Sequence, residues 1–359
     1  MLIYVYPKHQ TGSFNIISRQ HIRYLRELYN CSIAEVDENV LDHIYWTGGK
    51  RILLHPIGYA LIGDKREMIQ ERKKRLDKLM EVKEKLGGFD TADTDRLSDI
   101  AIKVFNKMDL IVVPSTWAKE SYLRSKVKTN VEVLPHGIPE SFTKSKKLEE
   151  PALKHLAKLK EERNVVLVLF FLMHSGFRKG ADIVARAMLD VQHELKDVLL
   201  VVKRTDLEDP YLKILRSLKM IEIAGFLPED QLYQLYKLCD LVIVPSRGGG
   251  FELNALEGIV AGVPTIVPNA GCFLDYINYA IPIRVEGKVR IFEYNTVHVG
   301  KGFEPSWIDL RDKIIDCIKN LEYYKKVFRR RRNRVLKLYS WKRIVGKLYN
   351  MLRSYGFIS

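Results

Sequence analysis

Between Asp240 and Pro268 the chain reads DLVIVPSRGGGFELNALEGIVAGVPTIVP. A strand-like run ends at Pro245-Ser246, glycines fill positions 248 to 250, and a helical pattern runs from about Glu252 to Ala261, closed by Gly262. Glycine lets the backbone approach a ligand where any side chain would intervene. The helix after it starts with unpaired N–H groups and the positive end of its dipole aimed at the same point. That arrangement suits an anion, and a diphosphate in particular. Glu257 falls about one and a half turns into this helix, where a carboxylate accepts hydrogen bonds from a ribose diol. The plainer reading, a glycine turn without a ligand, does not account for loop, helix and acid occurring together.

These residues resemble the donor site of family 4 glycosyltransferases, which have the GT-B fold. The family motif reads Glu-Gly-Phe-Gly, four further residues, then Glu. Gly250 and Phe251 match the Gly-Phe pair, Glu257 matches the second glutamate, and Gly262, Val263 and Pro264 match a following Gly-Val-Pro. In the family the second glutamate binds the ribose and the first contacts the donor sugar. Here Gly249 stands in place of the first glutamate, and Glu252 in place of the second glycine. The resemblance thus implies a retained nucleotide half and an altered sugar half, with Glu252 taking over the sugar contact from a shifted position. Gly249, Gly250, Phe251, Glu252, Leu253 and Glu257 form the implied donor set in this segment.

Further matches extend that set. In Met173–Ala181, MHSGFRKGA, Lys179-Gly180 resembles the family's Lys-Gly element, whose basic side chains neutralise the donor diphosphate. His174 stands near the family's upstream arginine, and Arg178 lies beside the lysine, where a guanidinium grips phosphate bidentately. Lys203 and Arg204 end the strand-like run VLLVVKR and add positive charge at the same edge. Gly225-Phe226-Leu227-Pro228 is similar to a family loop that touches the nucleobase through its backbone. In the first half, Lys8–Asn15 contains Gly12 and resembles a glycine loop closing over donor and acceptor, while His55 matches a histidine facing the donor sugar. The resemblance makes His55, Lys179 and Glu252 the catalytic candidates. His136-Gly137, Ser115 and Trp117 match elements that are architectural in the family. It also implies transfer from a nucleotide-diphosphate sugar with retention of configuration, with no cofactor and no essential metal. The acceptor stays open among lipid, glycan, protein and modified nucleic acid. The alternative is a catalytically altered GT-B protein that binds nucleic acid or a membrane.

Such residues need strands that end where they begin. LIYVY near residue 2, RILLH near 51, DLIVVPS near 109 and VEVLPHG near 131 are continuous apolar runs, followed after residue 160 by VVLVLFFL, VLLVVK, MIEIAGF, DLVIVPS and VPTIVP. Runs without polar alternation suit strands buried on both faces of a parallel sheet. Interleaved with helical patterns they predict right-handed βαβ units and a doubly wound α/β fold. DLIVVPSTWAKESY in the first half echoes DLVIVPSRGGGFEL in the second, which predicts two related halves. With the resemblance, the fold expected is α/β GT-B: two Rossmann-like domains facing each other across a cleft, where open sheets bind ligands. Residues 1–150 form the expected acceptor-side domain and 151–339 the donor domain, with a closing helix in 340–359 packing back on the first. The charged stretch Thr143 to Arg163 reads as a linker plus surface helix, and Lys65 to Lys85 as a solvated amphipathic helix, with membrane contact as the sharper alternative.

With 359 residues, 47% of them hydrophobic, the chain can bury two cores. A formal charge of +15 favours acidic partners: phosphorylated metabolites, anionic lipid or nucleic acid. The run Arg329 to Arg332 is the densest basic patch, with a solvated face as its ordinary reading and an anionic surface as the alternative. No zinc finger, helix-turn-helix or aromatic-basic RNA motif accompanies it. Cys31, Cys239, Cys272 and Cys317 lie far apart without metal-ligand spacing, which fits a reducing compartment. No signal-peptide pattern opens the sequence, and no apolar run approaches the roughly 20 residues of a membrane span. The expectation is a cytoplasmic protein, with peripheral attachment at the inner membrane face as an alternative and the oligomeric state open.

Overall fold

The computed structural model describes residues 1–10, 12–43, 48–139, 142, 144, 147–173 and 175–359. Thr11 in the glycine loop, Thr143 at the start of the linker, and His174 lie outside the described residues. The chain divides into two compact units.

Unit 1 comprises Met1–Gly137, Phe292–Lys301 and Tyr339–Ser359. Its strands are β1 (Leu2–Tyr6), β2 (Ile33–Asp37), β3 (Lys50–Leu54), β4 (Lys83–Phe89), β5 (Leu110–Val113) and β6 (Val131–Val133). They form one sheet in the order β2-β1-β3-β4-β5-β6, every pair parallel. Successive residues feed opposite faces: Ile3, Val5, Ile52, Leu54, Ile111 and Val113 enter one core, and Leu2, Tyr4, Tyr6, Leu53, Leu110 and Val112 the other. That two-sided burial is why these strands carry no polar alternation. The second core is covered by the helices Ser13–Tyr29 and Trp341–Ser354, whose Tyr29 and Tyr349 rings stack 3.9 Å apart. Gly137 lies so close to Trp341 that a Cβ would come 2.5 Å from the indole, an architectural role.

Two unit 1 strands escape the sequence pattern. β2 (IAEVD) alternates apolar and acidic residues, as suits an edge strand. β4 (KEKLGGF) opens on three charged residues and carries a glycine pair, Gly87-Gly88, before its last residue, Phe89. Gly88 has φ +157°, and a Cβ there would collide with the backbone of Leu54 on β3. The glycines are required by the close approach of neighbouring strands, which hydrophobicity cannot reveal. The charged stretch before it is the helix Met68–Val82, with Leu76 and Leu79 buried and Arg75 paired to Asp42.

Unit 2 comprises Ile138–Ile291 and Gly302–Leu338. Its strands are β7 (Val166–Leu172), β8 (Val198–Arg204), β9 (Met220–Ile223), β10 (Leu241–Ile243), β11 (Thr265–Pro268) and β12 (Ile281–Ile283). They order β12-β11-β10-β7-β8-β9, again all parallel, and β13 (Val285–Arg290) pairs with β14 (Lys301–Pro305) apart from them. The chain winds from β7 through β8 to β9 in one direction and from β10 through β11 to β12 in the other. The β7/β10 boundary is thus a topological switch point, where the loops leaving two adjacent strands diverge and leave a crevice. In unit 1 the equivalent boundary lies between β1 and β3.

Candidate functional site

The loops leaving β7 and β10 are stitched together. Gly180, at φ +77°, lies against Pro245, whose carbonyl a Cβ would strike. Arg247 supplies most of the stitching. Its backbone N–H donates to Arg178 O at 2.7 Å, and its guanidinium reaches Phe177 O at 2.6 Å. The same guanidinium pairs with both oxygens of Asp182, at 2.6 and 2.8 Å, and both of Glu304, at 2.7 Å each, over the face of Phe177. Arg178 returns the contact, donating from Nη1 to Gly248 O at 2.9 Å. Buried arginine between two carboxylates satisfies the rule that a buried charge must be paired and hydrogen-bonded. Arg247 was not among the sequence candidates, because its partners Asp182 and Glu304 lie far from it in the chain.

Within this frame Lys179 meets Glu252. Lys179 Nζ lies 2.8 Å from Oε1 and 2.6 Å from Oε2, and Arg178 Nη1 is 3.6 Å from Oε1. The Glu252 side chain is only 2% exposed. Glu252 itself is in the left-handed region (φ 56°, ψ 67°), a conformation that costs a residue with a Cβ roughly 1–2 kcal/mol. The twist turns its carboxylate back over Gly249: a Cβ on Gly249 would clash with Glu252 Oε1 and lie 3.0 Å from Cδ. Glycine at 249 and glutamate at 252 are therefore a matched pair. The carboxylate occupies the room that a side chain at 249 would take.

The helix predicted from Glu252 runs Leu253–Ala261, with Glu252 at its N-cap position and no side chain capping its first N–H groups. Phe251 is buried, its carbonyl accepting from Tyr276 Oη at 2.8 Å. Glu257 accepts from Tyr236 Oη at 2.8 Å through Oε2, while Tyr236 stacks on Phe171. Among the described residues Oε1 of Glu257 has no hydrogen-bond partner, so one carboxylate oxygen stays available. Burial pushes this carboxyl up to about 7, against the opposing pull of the Tyr236 hydrogen bond.

Lys203 has a different place from the one its charge implied. Its ammonium is buried and held by the carbonyls of Gly225 and Arg204, and burial lowers its affinity for a proton. It anchors the loop Gly225–Pro228 rather than presenting charge to a ligand. On that loop Phe226 is exposed and Leu227 buried. Arg178, Lys179, Gly249, Gly250, Phe251, Glu252, Leu253 and Glu257 all belong to the two stitched loops and the helix they feed.

Gly12 and His55 belong to unit 1, after β1 and β3 respectively. Gly12 is the N-cap residue of the helix Ser13–Tyr29, in extended backbone with open space around it. His55 is buried, with Ser18 Oγ 2.8 Å and Tyr4 Oη 3.3 Å from its Nδ1. With the proton on Nε2, Nδ1 accepts from the nearer hydroxyl, Ser18, while Tyr4 Oη also lies 3.0 Å from His21 Nδ1. Burial, reinforced by His21 and His136, lowers its pKa well below the histidine norm, so the ring is neutral. His21, His55, His136, Asp90, Thr91, Phe14 and Phe89 line one small cavity of about 20 Å³. Asp90 carries no local signature and was not among the sequence candidates: burial lifts it to about 7 while it accepts from the N–H groups of Gly58 and Thr91.

The chain also holds one Asp-x-Asp triplet, Asp93-Thr94-Asp95, absent from the sequence candidates. Asp95 Oδ1 accepts from Lys301 N at 2.8 Å, and Thr94 Oγ1 bonds to Arg96 O and Gly300 N. It fastens the segment 292–301 into unit 1. Among the described residues no three His, Cys, Asp or Glu side chains converge as metal ligands. Ser115 caps the helix Thr116–Arg124, and Trp117 is buried beside it, both architectural. The four cysteines are free. Among the described residues no helix is long and apolar enough to cross a membrane.

Residues 164–284, which include both stitched loops, match the family model described as "Glycosyl transferases group 1". Over its full length the chain is similar to uncharacterized protein 356 of Sulfolobus islandicus rod-shaped virus 1, at 27% identity across 99% of each chain. It also resembles putative glycosyltransferase 45 of Sulfolobus islandicus filamentous virus, at 27% identity over 72% of this chain and 73% of that protein. Among solved structures, Anabaena HepE, determined in complex with UDP-glucose, superposes with a TM-score of 0.67 at 13% identity, covering 98% of this chain and 99% of that one. At that identity the likeness establishes the fold: two parallel six-stranded sheets, as in the GT-B glycosyltransferases.

Proposed function

We propose that this chain, a glycosyltransferase of the glycosyl transferases group 1 family, takes its sugar from a nucleoside diphosphate donor held by unit 2 and transfers it with retention of configuration. The observation that carries the reading is the meeting of Lys179 and Arg178 with the loop 248–252 at the switch point of one sheet, where the helix that carries Glu257 begins. Each part has a place in one ligand. Lys179 and Arg178, with the uncapped N-terminus of the helix Leu253–Ala261, suit the diphosphate. The open oxygen of Glu257 suits a ribose hydroxyl. Glu252, filling the room above Gly249, suits the sugar.

In the transfer, the bond from the anomeric carbon to the diphosphate oxygen breaks and a bond to the acceptor oxygen forms on the same face. The acceptor's proton passes to the leaving phosphate. Negative charge grows on the diphosphate as it departs, and fixed cations and N–H groups stabilise that charge without reorganising. Glu252 must release Lys179 as the diphosphate arrives, so the ion pair acts as a counter-charge kept in place until the donor binds. His55 is neutral and already committed through Nδ1, which supports an orienting role and argues against it as a base.

The test is a thermal-shift panel of uridine, guanosine and adenosine diphosphate sugars, begun with UDP-glucose because HepE was solved with it. A donor at a hundred times its Kd adds about 2.7 kcal/mol to the stability of the folded chain, and one base should stand out. No shift with any member of the panel would remove the donor assignment.

A further inference from the structure

The helix Leu321–Leu338 carries eight lysines and arginines against one acid: Lys325, Lys326, Arg329 to Arg332, Arg334 and Lys337 against Glu322. At about 100° per residue, its buried residues Phe328 and Val335 mark one side, packed into unit 2. Tyr323, Lys326, Arg330 and Lys337 fall on the opposite side, with Arg329 and Arg334 on its two flanks, and all six are exposed. Lys326 to Lys337 spans roughly 17 Å at 1.5 Å per residue. Among the described residues none of those five cations makes an ion pair, although the same helix pairs Lys325 with Asp240 and Glu322. Some surface cations elsewhere are matched, as in Arg216 with Glu208 and Glu222, or Lys319 with Glu194; what distinguishes this face is that five unmatched cations lie together on one helix.

The crowding extends to the neighbouring helix Glu229–Leu238. Lys237 holds its proton less tightly than an ordinary lysine, first through burial and then through repulsion from Arg332, Arg329 and Lys325. Like charges gathered without acids oppose the folded state unless an external anion offsets them.

We propose that this exposed face of the helix Leu321–Leu338 docks the protein on an anionic lipid bilayer. The occupant follows from shape as well as charge. The helix is sunk into unit 2 along Phe328 and Val335, so it offers a low ridge of cations. A planar surface of phosphates meets such a ridge along its whole length. A duplex major groove, about 12 Å wide, admits a helix that projects freely, which this one does not. Tyr323, 65% exposed at the start of the row, adds a ring of the kind that settles at headgroup level. Anchoring here is electrostatic and peripheral, since the apolar side of the helix is already spent on the protein core.

The experiment is vesicle co-sedimentation of the full chain with two preparations, phosphatidylcholine alone and phosphatidylcholine mixed with phosphatidylglycerol. Binding is expected to the anionic vesicles only and to fall steeply between about 0.05 and 0.5 M salt, as the screening length shrinks. The variant Lys326→Gln/Arg330→Gln/Arg334→Gln should bind the anionic vesicles about a hundredfold more weakly, at roughly fivefold per basic residue. Its melting temperature should equal or exceed that of the wild type, since three mutually repelling charges are gone, and its response to nucleoside diphosphate should match the wild type, which separates this result from misfolding and from any failure of the donor assignment. Equal binding by variant and wild type, equal binding to both vesicle types, or release of the protein from vesicles by duplex nucleic acid at matched phosphate concentration would overturn the proposal.

Discussion

The two echoing segments begin alike and end as different devices. After β5 the chain takes two residues, Pro114 and Ser115, before the helix Thr116–Arg124 begins; after β10 it takes nine, 244 to 252, before the helix Leu253–Ala261. In the first, Ser115 is fully buried and its Oγ accepts from Ala118 N at 3.1 Å, so the helix end is satisfied by its own cap. In the second no side chain caps the helix, the residue at the cap position is twisted to φ 56°, and the long loop is held by Arg247. One strand-to-helix turn is closed and serves the core. The other is held open and leaves its N–H groups and dipole without a side-chain cap. What separates a joint from a site is the set of hydrogen bonds the turn leaves unmade.

The largest effect should come from removing what holds the second turn open. Arg247→Met leaves Asp182 and Glu304 facing each other without their cation. Breaking a buried pair costs about 3–5 kcal/mol, and the lower end applies because Asp182 and Glu304 are 21% and 32% exposed. Denaturant unfolding should record that loss, with turnover falling in the residual folded protein as both loops shift. Unchanged stability would mean that the loop holds its shape without the clamp.

Next in size is Lys179→Ala. Losing one preorganised donor at a developing anion costs about 2.7–4 kcal/mol, so turnover should drop at least about a hundredfold. A normal rate would take Lys179 out of the site. The equivalent change at Lys119, in the first turn's helix and paired with Glu132 on the surface, should leave turnover unaltered.

The Gly249 and Glu252 pair tests whether the second turn has been rebuilt. Glu252→Gln should lower turnover by at least about tenfold, near 1.4 kcal/mol of barrier, while leaving nucleotide affinity close to that of the wild type. Equal losses in both would count against a sugar contact. Gly249→Glu alone forces a second side chain into the Glu252 carboxylate and should be worse. The double exchange Gly249→Glu/Glu252→Gly removes the overlap and also relieves the left-handed strain at 252, so it should recover part of the loss.

Much of this contrast was legible in the residues. Nine of the strands announced themselves as apolar runs, because a parallel sheet buried on both faces needs nothing else. The glycine loop, the helix after it and Glu257 were visible because each has a local signature. Arg247 and Asp90 were not, since their roles rest on partners distant in sequence: Glu304 lies 57 residues from Arg247, and Gly58 lies 32 from Asp90. Lys203 shows the converse. Its charge at a strand end predicted a ligand contact, while the carbonyls of Gly225 and Arg204 claim it for the fold. Local patterns place elements; which polar atoms remain open is decided by contacts that no window of sequence contains.

A smaller effect separates the acids. The Glu257 carboxyl is raised by burial to about 7, so the folded chain retains a proton there that the unfolded chain has already released. Stability from this group declines as pH rises from the ordinary glutamate range to about 7 and levels off above. Donor affinity runs the other way, because a ribose hydroxyl donates best to the ionised carboxylate. Nucleotide affinity should rise through pH 7, plateau above it, and fall by up to about tenfold per unit below. Asp90 in unit 1 titrates in the same range, so the control is Glu257→Gln, which should flatten the profile. A wild-type slope surviving in that variant would assign the titration elsewhere.

The smallest effect lies in the first turn and completes the contrast. Ser115→Ala removes the hydroxyl that accepts from Ala118 N and leaves that N–H without its cap. Cap losses of this kind cost about 1 kcal/mol, so the unfolding midpoint should drop slightly. Nucleotide affinity and turnover per folded molecule should stay as they are, because the first turn spends its helix end on itself. If Ser115→Ala instead lowered turnover as strongly as a change at Lys179, the first turn would also be serving the reaction. The two echoing segments would then differ in length and capping without differing in role.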